Sequence, residues 1–206
     1  MEELDHLQPD CYYHIYNRGN NRENLFREEE NYEFFLRQYK KYISPLADTF
    51  AYCLLRNHFH FLIRVKPDVA CEVATESLAR PHRTPQASTD PSRAFSNFFN
   101  SYAKSMNTIY GRTGSLFQER FRRKEIMGAV SLRAVVRYIH INPQKHKFVT
   151  DFRRYKHSSY RILISDEKSF LMRAEVLHWF GGKEAFEVFH LGGPEVGPVR
   201  SPSEFP

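Results

Sequence analysis

The hydrophobic and polar positions in the first third of the chain predict a strand, a helix and a β-hairpin. The run from Tyr12 to Tyr16 is aromatic and β-branched, which is typical of a strand. Residues 28–42 carry apolar side chains three and four apart behind an acidic first turn, and this pattern predicts a helix. Two apolar runs at 49–55 and 59–65 then predict strands, with a tight hairpin turn at 56–57.

The middle of the chain adds a helix and a strand, and another helix follows. Apolar side chains three and four apart predict a helix from Pro91 to about Gly111. Residues 117–126 predict a basic strand, and 131–140 predict a helix that ends at Asn142-Pro143, because the residue before a proline disfavours helical backbone. The order β-α-β-β-α-β-α favours an α+β fold of the ferredoxin-like or RRM-like kind, with a central antiparallel sheet and helices packed on one face.

The remaining segments divide the chain into one main domain and its additions. Short helical patterns near the end predict a small helical C-terminal extension over 162–192. Prolines interrupt the polar stretch 66–91, which predicts a loop with at most one short helix. The Pro- and Gly-rich residues 193–206 predict a disordered tail. The expected main domain covers residues 10–161.

Positive charge is concentrated in one part of the chain. The whole chain carries 30 Lys and Arg against 24 Asp and Glu, a net charge of +6. Residues 93–161 hold 15 Lys and Arg against 3 Asp and Glu, whereas the rest of the chain is net acidic. A cationic surface attracts polyanions, and contacts to phosphates supply affinity that does not depend on sequence. This distribution favours a nucleic-acid partner over a solvated surface that is merely biased in sign.

The composition excludes several classes of protein. Apolar residues make up 41% of the chain and aromatic residues 15%, which is enough for a core and excludes global disorder. Three cysteines without CxxC spacing exclude a disulfide scaffold and favour a reduced, cytoplasmic protein. No run approaches the roughly 18 apolar residues of a membrane span, and the first residues do not resemble a signal peptide. No membrane partner is therefore expected.

His58 and His60 form the sharpest local feature of the sequence. Side chains alternate along a strand, so both imidazoles should project from one face while Phe59 points to the other. Two imidazoles on one face can converge on a divalent metal ion. An H-x-H pair alone is a weak signal, and paired surface or half-buried histidines explain most such pairs.

Tyr102 is a candidate nucleophile on the helix that begins at Pro91. The periodicity assigns it to the apolar stripe, so a core tyrosine is the simpler interpretation. Cations surround it in sequence, however, and a tyrosine among phosphate-binding cations can attack phosphorus when a metal polarises the phosphate. The predicted DNA-binding cations of this region are Arg112, Arg120, Arg122, Arg123 and Lys124.

Five blocks of the sequence, in order, resemble the HUH-superfamily single-tyrosine transposases, and among them the REP-associated tyrosine transposases and their insertion-sequence relatives. The most specific block is Leu55 to Ile63, which contains N-H-F-H followed by apolar residues. The resemblance spans about residues 12–161, and five ordered blocks are far more specific than one. The other blocks are 13–19, 102–121, 137–143 and 158–160.

The resemblance implies metal-dependent cleavage and rejoining of single-stranded DNA with hairpin or repeat structure. His58 and His60 would hold Mg²⁺ or Mn²⁺ against the scissile phosphate, and Tyr102 would form a 5′-phosphotyrosine intermediate. Arg18 and Asn57, in the matching blocks, would contact DNA. The resemblance also implies a cytoplasmic, nucleoid-associated protein that acts as a monomer or a homodimer.

One position departs from the family's pattern. Relatives often supply a third polar metal ligand one turn after the tyrosine, and here that position is Met106, which cannot serve. Asn107 is adjacent and is a candidate third ligand, but it lies about 140° around the helix from Tyr102. Either Asn107 reaches the metal through local distortion, or the metal keeps an extra water.

Two other functions compete with a transposase. A non-catalytic nucleic-acid-binding module of the same fold would use the sheet's aromatics for stacking and its basic segment for phosphates. A zinc hydrolase is the poorer alternative, because the sequence has no further His, Cys and Asp cluster. His140, His146 and His157 are expected to lie at the surface or beside phosphates and not to be ligands.

Overall fold

Four antiparallel strands form the sheet at the centre of the molecule. The structure is a computed structural model and describes residues 6–67, 90–118 and 120–192. The sheet has the spatial order β2-β3-β1-β4, with a helix between β1 and β2 and another between β3 and β4. This is the ferredoxin-like α+β arrangement, so the predicted fold class is confirmed. The strands are β1 (Tyr12–Arg18), β2 (Ala47–Leu55), β3 (His58–Val65) and β4 (Arg122–Glu125).

The helices follow the predicted order, with one short addition at 160–164. Most of the predicted 66–91 loop, and all of the predicted 193–206 tail, lie outside the described residues. Asp90 caps α2, because its side chain accepts a hydrogen bond from the backbone of Ser92. Within the described ranges, the α-helices are α1 (Glu29–Tyr42), α2 (Pro91–Ile109), α3 (Ala129–Lys145), α4 (Tyr160–Ile164), α5 (Arg173–Phe180) and α6 (Lys183–His190).

One face of the sheet packs against α1 and α2 through aromatic rings. Phe59 and Phe61 alternate with the histidines of β3 and point toward these helices. The Phe61 ring stacks on Tyr39 of α1 at 4.1 Å between centroids, and Phe59 lies 5.2 Å from Phe35 of α1 and 5.4 Å from Phe99 of α2. We call this the aromatic face of the sheet.

The opposite face is covered as well, by α3 and α5. The expectation of helices on one face only is therefore wrong. The reason is that this face also carries apolar side chains, such as Leu62 and Cys53, which need shielding from water. An ion pair at 3.1 Å between Arg64 of β3 and Glu175 of α5 joins the sheet to the C-terminal extension. We call this the histidine face, because His58 and His60 project from it.

Helix α3 runs past Asn142 and Pro143 to Lys145, so the helix end predicted at this dipeptide is also wrong. A proline removes one backbone donor, but its fixed φ is itself helical, so a proline near the end of a helix disturbs little. The Asn142 side chain donates a hydrogen bond of 2.8 Å to the carbonyl of Tyr138, one turn earlier. The extra turn keeps residues 142–145 in line with the rest of α3.

A buried chain of hydrogen bonds ties the C-terminal extension to the main domain. Nδ1 of His140 on α3 lies 2.9 Å from Nε2 of His190 at the end of α6, and its Nε2 lies 2.8 Å from the hydroxyl of Ser159. Ser159 in turn accepts a hydrogen bond from the backbone N–H of Tyr52 in β2. His140 is completely buried, which corrects the expectation that it lies at the surface or beside a phosphate.

Candidate functional site

Strand β3 places His58 and His60 side by side on the histidine face, with ring centroids 5.3 Å apart. In the antiparallel pairing, Arg18 of β1 is the direct neighbour of His58, and Tyr16 is the direct neighbour of His60. Side chains directly opposite each other in an antiparallel pair lie on the same face. Two imidazoles, a guanidinium and a phenol therefore meet on this part of the sheet.

Each of the two histidines is held through its Nδ1 atom by a neighbouring side chain. Nδ1 of His58 lies 2.8 Å from the amide oxygen of Asn57, which can only accept, so Nδ1 carries the proton and Nε2 a lone pair. Nδ1 of His60 lies 3.0 Å from Nε2 of His14 on β1. Asn57, predicted to bind DNA, thus orients a histidine in this structure.

Helix α3 and the residue that follows it cover the histidine pair with a stripe of three polar side chains, Tyr138, Asn142 and His146. Residues four apart lie on one side of a helix. The Tyr138 ring packs edge-on against His60 at 5.6 Å between centroids, and the His146 ring packs against His58 at 4.9 Å. Asn142 lies between them on the stripe, so α3 brings a phenol, an amide and an imidazole toward β3.

The histidines of this site are neutral at pH 7. Burial, and then the charge of Lys124, lowers the pKa of His14 to about 3. Burial, followed by His146 and Arg18, lowers the pKa of His58 to about 3, and burial lowers the pKa of His60 well below its ordinary value. Neutral imidazoles keep the lone pairs that metal ligands need. The charged side chains that act on these three residues are cations, an electrostatic setting that suits a phosphate.

The donor set of the site fits a divalent ion bound together with a phosphate. Over residues 6–67, 90–118 and 120–192, no three or more His, Cys, Asp and Glu side chains are grouped so that they could hold a metal. Two histidines are present, however, and the buried amide oxygen of Asn142 makes no hydrogen bond to any described residue. Mg²⁺ completes its octahedron with substrate phosphates and waters where a protein supplies few ligands.

Tyr102 lies on the other side of the sheet from His58 and His60. Its ring is fully buried at the aromatic face, 4.8 Å from Phe35 and 6.1 Å from Phe117. Its hydroxyl donates a hydrogen bond of 2.7 Å to the carbonyl of Leu25, and burial raises its pKa. The predicted meeting of Tyr102 with the two histidines does not occur in this structure, because the sheet lies between them.

Asn107 and Arg112 are engaged with each other at the end of α2. Arg112 donates a hydrogen bond of 2.7 Å to the Asn107 amide oxygen and forms an ion pair with Glu23, and only 11% of its side chain is exposed. The Asn107 amide nitrogen donates to the carbonyl of Gly114 at 2.9 Å. These contacts close the loop after α2, so Asn107 is not placed as a third ligand, nor Arg112 as an exposed phosphate contact.

The remaining predicted cations divide between the two faces of β4. Arg122 and Lys124 are exposed and pair in the sheet with Tyr16 and His14, so they share the histidine face. Arg123 points to the aromatic face, where it donates a hydrogen bond of 2.9 Å to the hydroxyl of Ser92. Arg120, just before β4, is exposed.

His14, Tyr138 and Asn142 were not predicted as site residues, although the sequence contains a signal for each. His14 shares the alternation of β1 with Tyr12 and Tyr16, which puts it on the histidine face. Tyr138 and Asn142 are four apart on a helix, but because α3 was predicted to end at Asn142-Pro143, Asn142 was not assigned to the same side of the helix as Tyr138. The missing information was which face of the sheet α3 covers.

The fold and site together define an α+β protein with a four-stranded antiparallel sheet and a histidine cluster under a covering helix. No family model matches the chain, and no curated protein matches it. Among solved structures, the chain is similar to a REP-associated tyrosine transposase bound to a REP hairpin. The TM-score is 0.60 at 17% sequence identity, over 81% of this chain and 86% of that one. The likeness establishes the fold. No helix among the described residues has the length and apolar character that crossing a membrane requires.

Proposed function

We propose that the protein is a transposase that cleaves and rejoins single-stranded DNA with hairpin or repeat structure, in a metal-dependent reaction with a tyrosine nucleophile. The fold likeness to a tyrosine transposase supports this proposal, as does the chemistry of the histidine face. The observation that carries it is the contact of a tyrosine, Tyr138, with two histidines of the histidine face, at 5.6 Å from His60 and 5.9 Å from His14 between ring centroids.

His58 and His60 would hold Mg²⁺ or Mn²⁺, with the amide oxygen of Asn142 as a third donor. A divalent ion, when bound, would neutralise charge on the scissile phosphate and so make phosphorus easier to attack. Arg18 is the direct sheet neighbour of His58, which suits a second contact to the same phosphate. The side chains therefore provide both lone pairs for the ion and positive charge for the DNA backbone.

Tyr138, and not Tyr102, is the nucleophile in this proposal. Burial raises the pKa of the Tyr138 phenol, while a hydrogen bond with Asn142 lowers it. The ammonium of Lys145 lies 5.4 Å from the centre of the Tyr138 ring, a cation–π contact that places positive charge beside the phenol. Tyr138 is only 4% exposed, so the strand would approach from the end of the site where His58 and His146 are partly open to solvent.

The bonds made and broken follow from this assignment. The phenol oxygen of Tyr138 loses its proton and attacks phosphorus, and the bond from phosphorus to the 3′ oxygen breaks. The fragment on the 3′ side of the cleaved bond stays attached to the tyrosine through its 5′ phosphate, and the leaving oxygen of the other fragment takes up a proton to become a 3′-hydroxyl. Attack by a 3′-hydroxyl on the phosphotyrosine reverses the step and transfers the strand. No other energy source is needed, because the phosphodiester energy is kept in the covalent bond.

A covalent-adduct assay with three tyrosine variants tests the proposal. Full-length protein is incubated with labelled hairpin DNA and Mn²⁺ or Mg²⁺, and adducts are resolved under denaturing conditions. Tyr138→Phe should form no adduct, because only the attacking hydroxyl is lost. Tyr102→Phe should form it at the wild-type rate if it folds, and Tyr16→Phe is the matched control, since its ring also lies 6.0 Å from His60. Peptide mapping that places DNA on Tyr102 or Tyr16 would overturn the assignment to Tyr138.

A non-catalytic nucleic-acid-binding module is the second candidate. The near-complete burial of Tyr138 and His60, at 4% and 1% exposure, favours it, since neither group is open to solvent. Such a module would bind the same hairpin with unchanged affinity in the presence of a chelator, and wild-type protein would give no adduct. An adduct that requires the metal excludes this candidate.

A further inference from the structure

We propose that His14 is a positioning residue that fixes the orientation and the tautomer of His60, so that Nε2 of His60 presents its lone pair to the site. This inference rests on the proposed metal-dependent function. His14 is completely buried and lies behind His60, so it does not meet the DNA itself. It acts through the single contact between its Nε2 and the Nδ1 of His60, at 3.0 Å.

The sheet register brings these two rings together. His14 pairs directly with Leu62 across β1 and β3, which makes His60 its diagonal neighbour on the same face. Diagonal neighbours are far enough apart that long or aromatic side chains are needed for contact. The two imidazoles meet this requirement and lie stacked, with centroids 5.1 Å apart and planes at 25°. Tyr138 packs edge-on against both rings and so limits their rotation.

The contact between His14 and His60 has the same form as the contact between Asn57 and His58. Asn57 holds Nδ1 of His58, and His14 holds Nδ1 of His60, so in both histidines Nδ1 makes the hydrogen bond to the neighbour and Nε2 is the other ring nitrogen. Partners of this kind, one step behind a metal ligand, set which ring nitrogen carries the proton. His14 therefore has the role toward His60 that Asn57 has toward His58.

The two partners differ in one respect, which gives His14 its specific role. The amide oxygen of Asn57 can only accept a hydrogen bond, whereas an imidazole nitrogen can accept or donate. If His14 accepts, the proton lies on Nδ1 of His60 and its Nε2 carries a lone pair. If His14 donates, Nε2 of His60 carries the proton and cannot bind a metal. The proposal is the first arrangement, in which the proton of His14 is on its own Nδ1.

A packing role alone does not explain an imidazole at this position. Nδ1 of His14 is buried and makes no hydrogen bond to any described residue, which costs stability that an apolar ring would not cost. A phenylalanine would fill similar space on the face without this cost, but it would leave Nδ1 of His60 without its present partner. The imidazole is therefore explained by its hydrogen bond to His60 and not by packing.

The test measures Mn²⁺ affinity and metal-free stability of the full chain side by side. His14→Phe should weaken Mn²⁺ binding, measured by calorimetry, by about 10- to 100-fold, the usual cost of losing a partner behind a metal ligand. Its thermal unfolding temperature without metal should stay close to that of wild type, because removal of the unbonded Nδ1 of His14 offsets the loss of the partner of Nδ1 of His60. His14→Gln, whose amide oxygen can accept from His60, should recover most of the affinity. Tyr12→Phe, on the same strand and face, is the matched control and should bind Mn²⁺ like wild type.

Nitrogen NMR of the metal-free protein gives a second, independent readout. In wild type, the proton of His60 should lie on Nδ1, and in His14→Phe it should move mainly to Nε2. A wild-type His60 that carries its proton on Nε2, or wild-type Mn²⁺ affinity in His14→Phe, would overturn the proposal. If wild-type protein binds no Mn²⁺ at all, the metal-dependent function fails, and the NMR result still decides the role of His14.

Discussion

The molecule contains two buried pairs of hydrogen-bonded histidines, and they differ in whether their hydrogen bonds are complete. The distance between ring nitrogens is 3.0 Å for His14 and His60 and 2.9 Å for His140 and His190. All four residues are at most 1% exposed. By distance and burial alone, the two pairs look alike.

The chain through His140 and His190 uses every ring nitrogen. Nδ1 of His190 donates to the carbonyl of Phe186 at 2.8 Å, because a carbonyl can only accept. That proton leaves Nε2 of His190 to accept from His140, whose other nitrogen lies 2.8 Å from the Ser159 hydroxyl. The Ser159 hydroxyl also lies 3.2 Å from the carbonyl of Tyr52, and the result is a satisfied link between α6, α3 and β2.

Around the pair on the histidine face, His14 and His60, some buried polar atoms lack hydrogen bonds to described residues. Nδ1 of His14 and the amide oxygen of Asn142 are buried without a hydrogen-bond partner among the described residues, and Tyr138 lies against the same rings. Buried polar atoms are normally paired, so exceptions call for an explanation. A buried histidine pair with complete hydrogen bonds serves stability, whereas the incompletely bonded atoms around the other pair are the ones that the proposed function would use.

The largest expected difference between the pairs is in activity. His60→Ala should reduce metal-dependent cleavage by at least about 1000-fold, because the metal's stabilisation of the phosphate is worth several kcal/mol. His190→Ala should keep the wild-type rate for each folded molecule. Single-turnover cleavage at saturating hairpin DNA, normalised to the folded fraction, measures both. Similar losses in the two variants would remove the distinction between the pairs.

The next largest effect is on stability, and here the larger loss is expected for the pair that does not take part in cleavage. His140→Ala should lower the free energy of unfolding by about 2–4 kcal/mol, because it leaves a cavity and deprives both His190 and Ser159 of a partner. His14→Phe should lower it by less than about 1 kcal/mol or raise it. Urea unfolding followed by tryptophan fluorescence measures both values. A loss below about 1 kcal/mol for His140→Ala would contradict a structural role for this chain.

The third effect is the pH dependence of stability that the satisfied pair contributes. Burial lowers the pKa of His190 to about 4, against an ordinary value of 6.5. Above pH 6.5 both the folded and unfolded states hold it neutral, and its contribution is complete. Below pH 6.5 the unfolded state takes up the proton first, so stability falls by up to about 1.4 kcal/mol per pH unit until about pH 4. His190→Gln should reduce this slope between pH 6 and pH 5, as measured by urea unfolding.

The smallest expected effect is on the salt dependence of DNA binding, and it separates the exposed cations of β4 from the one whose side chain is engaged. Arg122 and Lys124 are exposed on the histidine face, so replacing either with Ala should reduce the salt-dependence slope of DNA binding by about one. Arg123 is the matched control: it bonds Ser92 and lies over the Phe121 ring at 4.6 Å, so Arg123→Ala should leave the slope unchanged. Fluorescence anisotropy with hairpin DNA between 50 and about 300 mM salt measures the slopes. Equal slopes in all three variants would contradict a phosphate-binding histidine face.

The strand order and the shared face of His58 and His60 were predictable, because alternation and element order are local properties of the sequence. The nucleophile proposed above, Tyr138, was not. Tyr102 and Tyr138 both lie on apolar helical stripes, and both are surrounded by cations in sequence. What separates them is the face of the sheet that each helix covers, which is a long-range property. The prediction of Tyr102 followed from the cations near it in sequence and from the family resemblance. One of those cations, Arg112, is occupied by Glu23 and Asn107.

The two edges of the sheet are protected from other copies of the chain in different ways. The outer side of β2 is bridged by the chain's own residues, Ser158 beside Cys53 and Leu171 beside Thr49. β4 ends the other side of the sheet and consists of four successive charged residues, 122–125. Charged edge strands resist pairing with another strand, so the protein should stay dispersed at high concentration where a neutral edge would nucleate fibrils. The same basic residues that suit a phosphate backbone therefore also keep the sheet from growing.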